Sequence, residues 1–330
     1  MADRALDVVG IGNAIVDVLS HADEAFLAAE GLAKGSMTLI DAGRADKLYA
    51  AMGSAVECSG GAAANTVAGV ASLGGGAGFI GKVKNDQLGQ IFRHDIRAVG
   101  VTFDTEPAAD GPSTARCLVL VTPDAQRTMG TYLGACVELT PDDIDEALLA
   151  RARVTYLEGY LWDPPAAKDA FLKAMRATHA AGGKVALTLS DTFCVERYRH
   201  EFLDLVDNQV DVLFANENEI KALYQVGDFD AAAAAVRGRC EVVALTRSEK
   251  GSLILAGEAN YRVAAEPVEE VVDTTGAGDL YAAGFLYGYT RGRNLGDCGR
   301  IGAIAAAEVI GHMGARPATS LARLVSETLG

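Results

Sequence analysis

Six short apolar runs recur along the chain: LDVVGIG (6–12), AGFIGKV (77–83), VTYLEGY (154–160), KVALTLS (184–190), VDVLFAN (210–216) and EVVALTR (241–247). Each reads as a buried strand. Between several of them lie Ala-rich segments of helical pattern: AANTVAGVASLG (63–74), PAAKDAFLKAMRATHAAGG (165–183) and NEIKALYQV (218–226). Gly182 and Gly183 are a stop signal for the second. Buried strands alternating with helices define the fold class as α/β, with a mainly parallel central sheet covered by helices on both faces. At 330 residues, half of them hydrophobic, the chain can fill such a core and has length for about two domains.

Two regions break this rhythm, 17–41 and 101–135, and read as short strands joined by turns. TARCLVLVTPDAQRTMGTY (114–132) has the form of a hairpin turning at Pro-Asp. The expectation is a small β-sheet lid built from residues 13–41 and 101–135, inserted into a body of 1–12, 42–100 and 136–330. A formal net charge of -15, without Lys/Arg clusters, argues against a nucleic-acid surface. Any anionic ligand must then be held by a few local cations and by backbone N–H groups. The six cysteines (58, 117, 136, 194, 240 and 298) include no C-x-x-C pair, so reduced thiols are expected. The acidic start MADRALDVVGIGNAIVD does not read as a signal peptide, and no apolar stretch reaches membrane length. A cytoplasmic protein without membrane or nucleic-acid partners is expected, as monomer or dimer.

The chemistry concentrates in DTTGAGDLYAAGFLYG (273–288). Gly276, Ala277 and Gly278 precede an acid, Asp279, at the start of an apolar helix. Bare N–H groups there, with the helix dipole, form an anion cradle, and Asp279 beside it could take a proton from an alcohol. A simple helix cap explains Asp279 equally well. In CSGGAAANTVAGVASLGG (58–75), Gly60 and Gly61 allow close backbone approach and Asn65 offers a hydrogen bond; tight helix packing is the alternative. NENE (216–219) closes a strand with two acids, and Glu219 could organise water around magnesium or merely start a solvated helix. Two look-alikes fail. GAGFIGKV (76–83) lacks the hydroxyl of a Walker A loop at Val83, and VVGIGNAI (8–15) has Ile15 where a dinucleotide fingerprint needs a third glycine. His94 and His312 read as structural or exposed.

Taken in order, the glycine block, N-x-x-E and D-T-T-G-A-G-D resemble the ribokinase-like family, the phosphofructokinase-B type of carbohydrate and nucleoside kinases, over nearly the whole chain. The resemblance implies a ribokinase-like fold, ATP and Mg2+ as cofactors, Asp279 as catalytic base and residues 276–278 as anion hole. It places Asn216, Glu219 and Thr275 on the Mg-ATP side, with Glu219 reaching the metal through water. ALTRSEKGS (244–252) resembles the family's turn over ATP, giving Thr246, Arg247 and Gly251, with an ordinary hairpin as the alternative. GIGNAIVDV (10–18) is similar to the opening of adenosine kinases, implying Asn13 and Asp17 on ribose hydroxyls. DAQRTMGTYLGA (124–135) resembles their D-x-x-R segment, implying Arg127 on the transferring phosphoryl group. Tyr160 in GYLWD and Phe193 in TLSDTFCVER are stacking candidates for a purine, core packing being the other reading. GKVKNDQLG (81–89) keeps the spaced Gly81, Asp86 and Gly89 but has Lys84 where a glycine is usual. The implied reaction is phosphorylation of a ribonucleoside 5′-hydroxyl, adenosine first. A sugar kinase or a kinase of another nucleoside is the alternative, and a potassium ion near Asp273 is left open. Other classes, an NAD-dependent oxidoreductase or a non-catalytic nucleoside binder, fit the motifs less well.

Overall fold

The computed structural model describes residues 5–124 and 126–330; the first four residues of the amino-terminal stretch lie outside them. Nine strands form the large sheet, in the order Ala259–Val263, Ser252–Ala256, Val242–Thr246, Val212–Asn216, Lys184–Thr188, Ala152–Glu158, Leu6–Ile11, Ala77–Ile80, Val101–Thr102. All neighbours run parallel except the two pairs at the Ala259–Val263 edge. Alternate residues of a strand point to opposite faces, and here both faces are dry. Val154, Ala186, Val212, Phe214 and Ala244 pack with the helices Ala62–Ser72, Ala277–Thr290 and Leu295–Ile310. Leu157, Val185, Leu213 and Leu245 pack with Pro165–Ala180 and Thr192–Asn208 on the other side. Doubly buried strands have no polar register, which is why their sequences are continuous apolar runs.

A five-stranded sheet lies beside it, in the order Met37–Leu39, Arg127–Tyr132, Ala115–Val121, Ile15–His21, Ala55–Gly60. This is the mixed α/β architecture of the ribokinase-like fold. Two details correct the sequence expectation. Ala55–Gly60, expected in the body, is an edge strand of the small sheet, paired antiparallel with Ile15–His21. Val101–Thr102, expected in the lid, is the edge of the large sheet. The helix Ala42–Ala51 also sides with the small sheet: Leu48 lies 3.2 Å from where a Cβ at Gly130 would stand, and Arg116 pairs with Asp46. Strand Ile15–His21 buries Val16 and Val18, while Ile15, Asp17 and Leu19 form a half-covered face.

The chain passes between the sheets at Gly12–Ala14 and again at Gly61. These crossovers touch backbone to backbone. Gly61 has φ 97°, and a Cβ there would stand 2.1 Å from the carbonyl oxygen of Asn13. Only glycine fits both demands.

Candidate active site

The parallel strands end together: Ile11 before Asn13, Glu158, Asn216 and Thr246 all stand at carboxyl ends, where open α/β sheets bind ligands. Glu158 organises the crossovers. It is fully buried, and its Oε1 accepts from the backbone N–H of Asn13 (2.8 Å) and from Asn13 Nδ2 (2.7 Å). Its Oε2 accepts from Ala63 N–H (2.7 Å), replacing the cap that Gly61 cannot supply to helix Ala62–Ser72. Burial raises its carboxyl to about 7 against the pull of those donors. Gly12 leaves the room it needs, since a Cβ there would lie 2.3 Å from Glu158 Oε2. The sequence reading missed this residue; a lone acid closing an otherwise apolar strand was the available signal.

Asp279 lies in the first turn of helix Ala277–Thr290, half-buried. Its Oδ2 accepts from Asn65 Nδ2 at 2.9 Å, and its backbone carbonyl accepts from Thr66 Oγ1 at 3.1 Å. Burial pushes its carboxyl up to about 6, opposed by the Asn65 bond and by the charge of Arg316. Gly276 caps the helix in the left-handed region, φ 79°, with Ala315 2.8 Å from where its Cβ would be. Nothing lies within 4 Å of a Cβ built on Gly278, so that side of the turn faces open space. Of the three N–H groups read as a cradle, that of Ala277 already donates to Thr274 O at 3.3 Å.

The small sheet contributes Asp17 and Arg127. Asp17 stands on the half-covered face, and a Cβ at Gly60 would lie 2.3 Å from its Oδ2, so this glycine makes space for the acid. Burial raises Asp17 to about 6, Arg316 and Arg127 hold it down, and Asp279 and Asp273 push it up. Arg127 pairs with the buried Asp273, which also accepts from Thr275 N–H (3.0 Å) and Gly314 N–H (3.0 Å). The carboxylate beside which a potassium ion was left open thus already carries a guanidinium. Three buried polar atoms here have no hydrogen-bond partner among the described residues: Asn13 Oδ1, Asn65 Oδ1 and Arg127 Nε.

The residues expected on the nucleotide side are more self-contained. Asn216 and Glu219 form a reciprocal capping box. Asn216 Oδ1 accepts from Asn218 and Glu219 N–H (2.9 Å each), and Glu219 accepts from Asn216 N–H and Nδ2 (2.9 and 2.6 Å). Glu219 is buried, and its carboxyl is raised to about 7 chiefly by that burial. Thr246 and Gly251 flank a hairpin. Gly251 at φ 77° is forced, since a Cβ would meet Val263 O at 2.0 Å. Arg247 is tied to Glu217 (2.9 Å) and lies 3.8 Å over the Phe229 ring. Among the described residues no group of three acidic, His or Cys side chains could hold a metal. Any magnesium would therefore have to be carried on phosphates and water, and Glu219 keeps lone pairs that could accept from such a water. Tyr160 and Phe193 are 41% and 57% exposed, so neither is core; buried Trp162 packs instead with Phe171 and Phe202. Lys84 is tolerated because it presents backbone: its N–H donates to Thr114 Oγ1, while Asp86 caps the following helix and accepts from Thr114 N–H. All six cysteines are free. Among the described residues no helix is long and apolar enough to cross a membrane.

A ribokinase-like fold with an acid at a glycine-rich helix start, facing polar groups of a second sheet, is the arrangement of small-molecule kinases. The model of the pfkB family of carbohydrate kinases matches residues 33–321, and the chain belongs to that family. It is a kinase. The structure of an adenosine kinase from Sinorhizobium meliloti is 55% identical, with a TM-score of 0.92 over 98% of this chain and 99% of that one. A probable sugar kinase from Rhizobium etli CFN 42 is 52% identical, also with a TM-score of 0.92 over 98% and 99%. An adenosine kinase of Saccharomyces cerevisiae is 26% identical over 310 residues, 87% of this chain and 90% of its own length. The family implies ATP as phosphoryl donor, usually with Mg2+.

Proposed function

We propose that the chain transfers the γ-phosphoryl group of ATP to the 5′-hydroxyl of a ribonucleoside, adenosine foremost, giving AMP. One observation carries this reading: three buried polar atoms are unpartnered, Asn65 Oδ1 on the amide that bonds Asp279, Arg127 Nε on the guanidinium beside Asp17, and Asn13 Oδ1 on the amide that bonds Glu158. A buried polar atom without a partner costs about 1–3 kcal/mol, so three at one place are best explained by a ligand that completes them. The two amide oxygens accept from hydroxyls, the guanidinium donates to a phosphoryl oxygen, and Asp17 accepts from vicinal hydroxyls. Asp279 removes the proton of the attacking hydroxyl as the new P–O bond forms and the bond from the γ-phosphorus to the bridging oxygen breaks, ADP being the leaving group. The N–H of Gly278 and the helix dipole face the charge that develops on the phosphoryl oxygens. Thr275 and the turn Thr246–Gly251 lie on the nucleotide side. Glu219 would hold a Mg2+ ion through water, and that ion would supply charge neutralisation at the phosphates. Exposed Tyr160 and Phe193 offer planar surface to a base. Closure of the small sheet keeps water from competing as acceptor. The likeness to the S. meliloti adenosine kinase supports a nucleoside, and that to the R. etli probable sugar kinase supports a free sugar.

A coupled assay of ADP release across adenosine, other nucleosides and common sugars decides. Adenosine is expected to give the highest kcat/KM. Strong turnover with a hexose and none with adenosine refutes the acceptor assignment.

A further inference from the structure

We propose that Arg316 is a positioning residue of the phosphotransfer site, clamping the Ser59–Gly61 crossover from the small sheet to the body and supplying positive charge to Asp17 and Asp279. The motifs do not contain it; it sits in a loop following helix Leu295–Ile310. Its guanidinium is held on three sides. Nε donates to Ser59 O (3.0 Å), Nη1 to Ala64 O (2.7 Å) and Nη2 to Ser59 Oγ (2.9 Å). Ser59 passes the connection on, its N–H and Oγ donating to Asp95 Oδ2 at 2.8 and 2.5 Å. One side chain therefore joins the carboxyl-terminal loop, the last turn of the small-sheet edge strand, the start of helix Ala62–Ser72 and, through Ser59, helix Gln87–Ala98.

Its electrostatics separate this clamp from a merely structural one. All three acceptors are neutral, and among the described residues Arg316 makes no ion pair within 4.0 Å. A guanidinium half-withdrawn from water onto neutral partners carries a cost unless anions stand near. The anionic or ionisable groups facing it are Asp95, Cys58, Asp17 and Asp279. Asp17 is also faced by Arg127, Asp273 and Asp279, and Asp279 by the Asn65 amide. Arg316 pulls both site carboxyls down against burial, and burial in turn weakens its own hold on its proton. Its loop also carries the groups that fix the motif: Gly314 N–H holds Asp273, and Ala315 packs on Gly276. Arginine suits the task because its fork spans several acceptors and its charge persists when buried.

The test uses Arg316→Gln and Arg316→Lys in the full chain. It rests in part on the proposed reaction, so one readout is independent of turnover: 13C titration of the aspartate carboxylates in the free protein. In R316Q the carboxylates of Asp17 and Asp279 are expected to titrate higher by about one pH unit, the lower bound for losing a close opposite charge. The acid limb of kcat/KM should move with them, a loss of about tenfold well below the limb that shrinks at alkaline pH. R316K should restore the limb but raise KM for the acceptor several-fold, because one ammonium cannot span the three acceptors. If R316Q folds and both titrations stay unmoved, the proposal is overturned. Should R316Q fail to fold, R316K decides: a restored limb with raised KM supports it, and wild-type KM overturns the clamp. Wild-type protein without turnover on any acceptor would refute the proposed reaction, while the carboxylate titration would still judge Arg316.

Discussion

Asp279→Asn isolates proton removal from everything else the site does. The replacement is isosteric, and the new amide can still offer an oxygen to Asn65 Nδ2 where Oδ2 now accepts at 2.9 Å. The backbone bond from Thr66 is untouched. Neutralising a carboxyl that burial has raised to about 6 removes a desolvation burden, so the fold should hold. What disappears is the proposed base, an expected loss of about 10²–10⁴ in kcat, or about 3–5 kcal/mol of barrier. The wild-type enzyme also carries a pH signature. A carboxyl raised to about 6 keeps its proton below that pH, so kcat/KM should fall about tenfold per unit below the limb and level off above it. In the amide variant that limb goes, and Asp17, relieved of one of the charges that raise it, should titrate lower. Initial rates by coupled ADP release from about pH 5 to 9, with calorimetric binding of ATP and acceptor, measure all of this (about 10²-fold slower turnover with binding within a few-fold). Turnover within tenfold of wild type, or an unchanged acid limb, would show that Asp279 is not the base.

Two stability predictions accompany it. At acid pH the protonated carboxyl of Glu158 still has an accepting lone pair on each oxygen, whereas the amide nitrogen of Glu158→Gln cannot accept from Asn13 or Ala63, so the variant should lose about 1–3 kcal/mol in thermal unfolding there. The folded value near 7 lies above the ordinary 4.5, so the contribution of Glu158 is full below 4.5 and lost as pH rises through 7. The gap between the two proteins should therefore close toward alkaline pH, and a gap that widens instead refutes the assignment. Gly61→Ala sets a Cβ 2.1 Å from Asn13 O at φ 97° and should abolish recovery of folded protein, whereas Gly74→Ala, also at positive φ but with nothing within 4 Å, should cost about 1 kcal/mol. Equal midpoints for the two would remove the backbone contact from the account.

The site was legible to the extent that its chemistry lies within contiguous motifs. N-x-x-E marked Asn216 and Glu219, and the structure adds that they satisfy each other first, in a capping box visible in the spacing itself. ALTRSEKGS marked a turn, but nothing local told a hairpin from a nucleotide loop. The strand Ala55–Gly60 was missed because it is an edge, exposed at its start and polar in its middle, so it lacks the apolar run that marks its neighbours. Glu158 was passed over because one acid in a buried strand has no periodic signal.

Burial on both faces must be written residue by residue as unbroken apolar runs, so the parallel sheet and its helical cover are readable from the chain alone. So is the acid that begins the helix after Gly278. Which side chains meet that acid is not written locally, and folding settles it. Asn65 is 214 positions from Asp279, and Arg316 is 257 from Ser59. Contacts at such range are set by how strand ends and crossovers converge, and the field each carboxyl feels follows from that convergence and from the water it excludes.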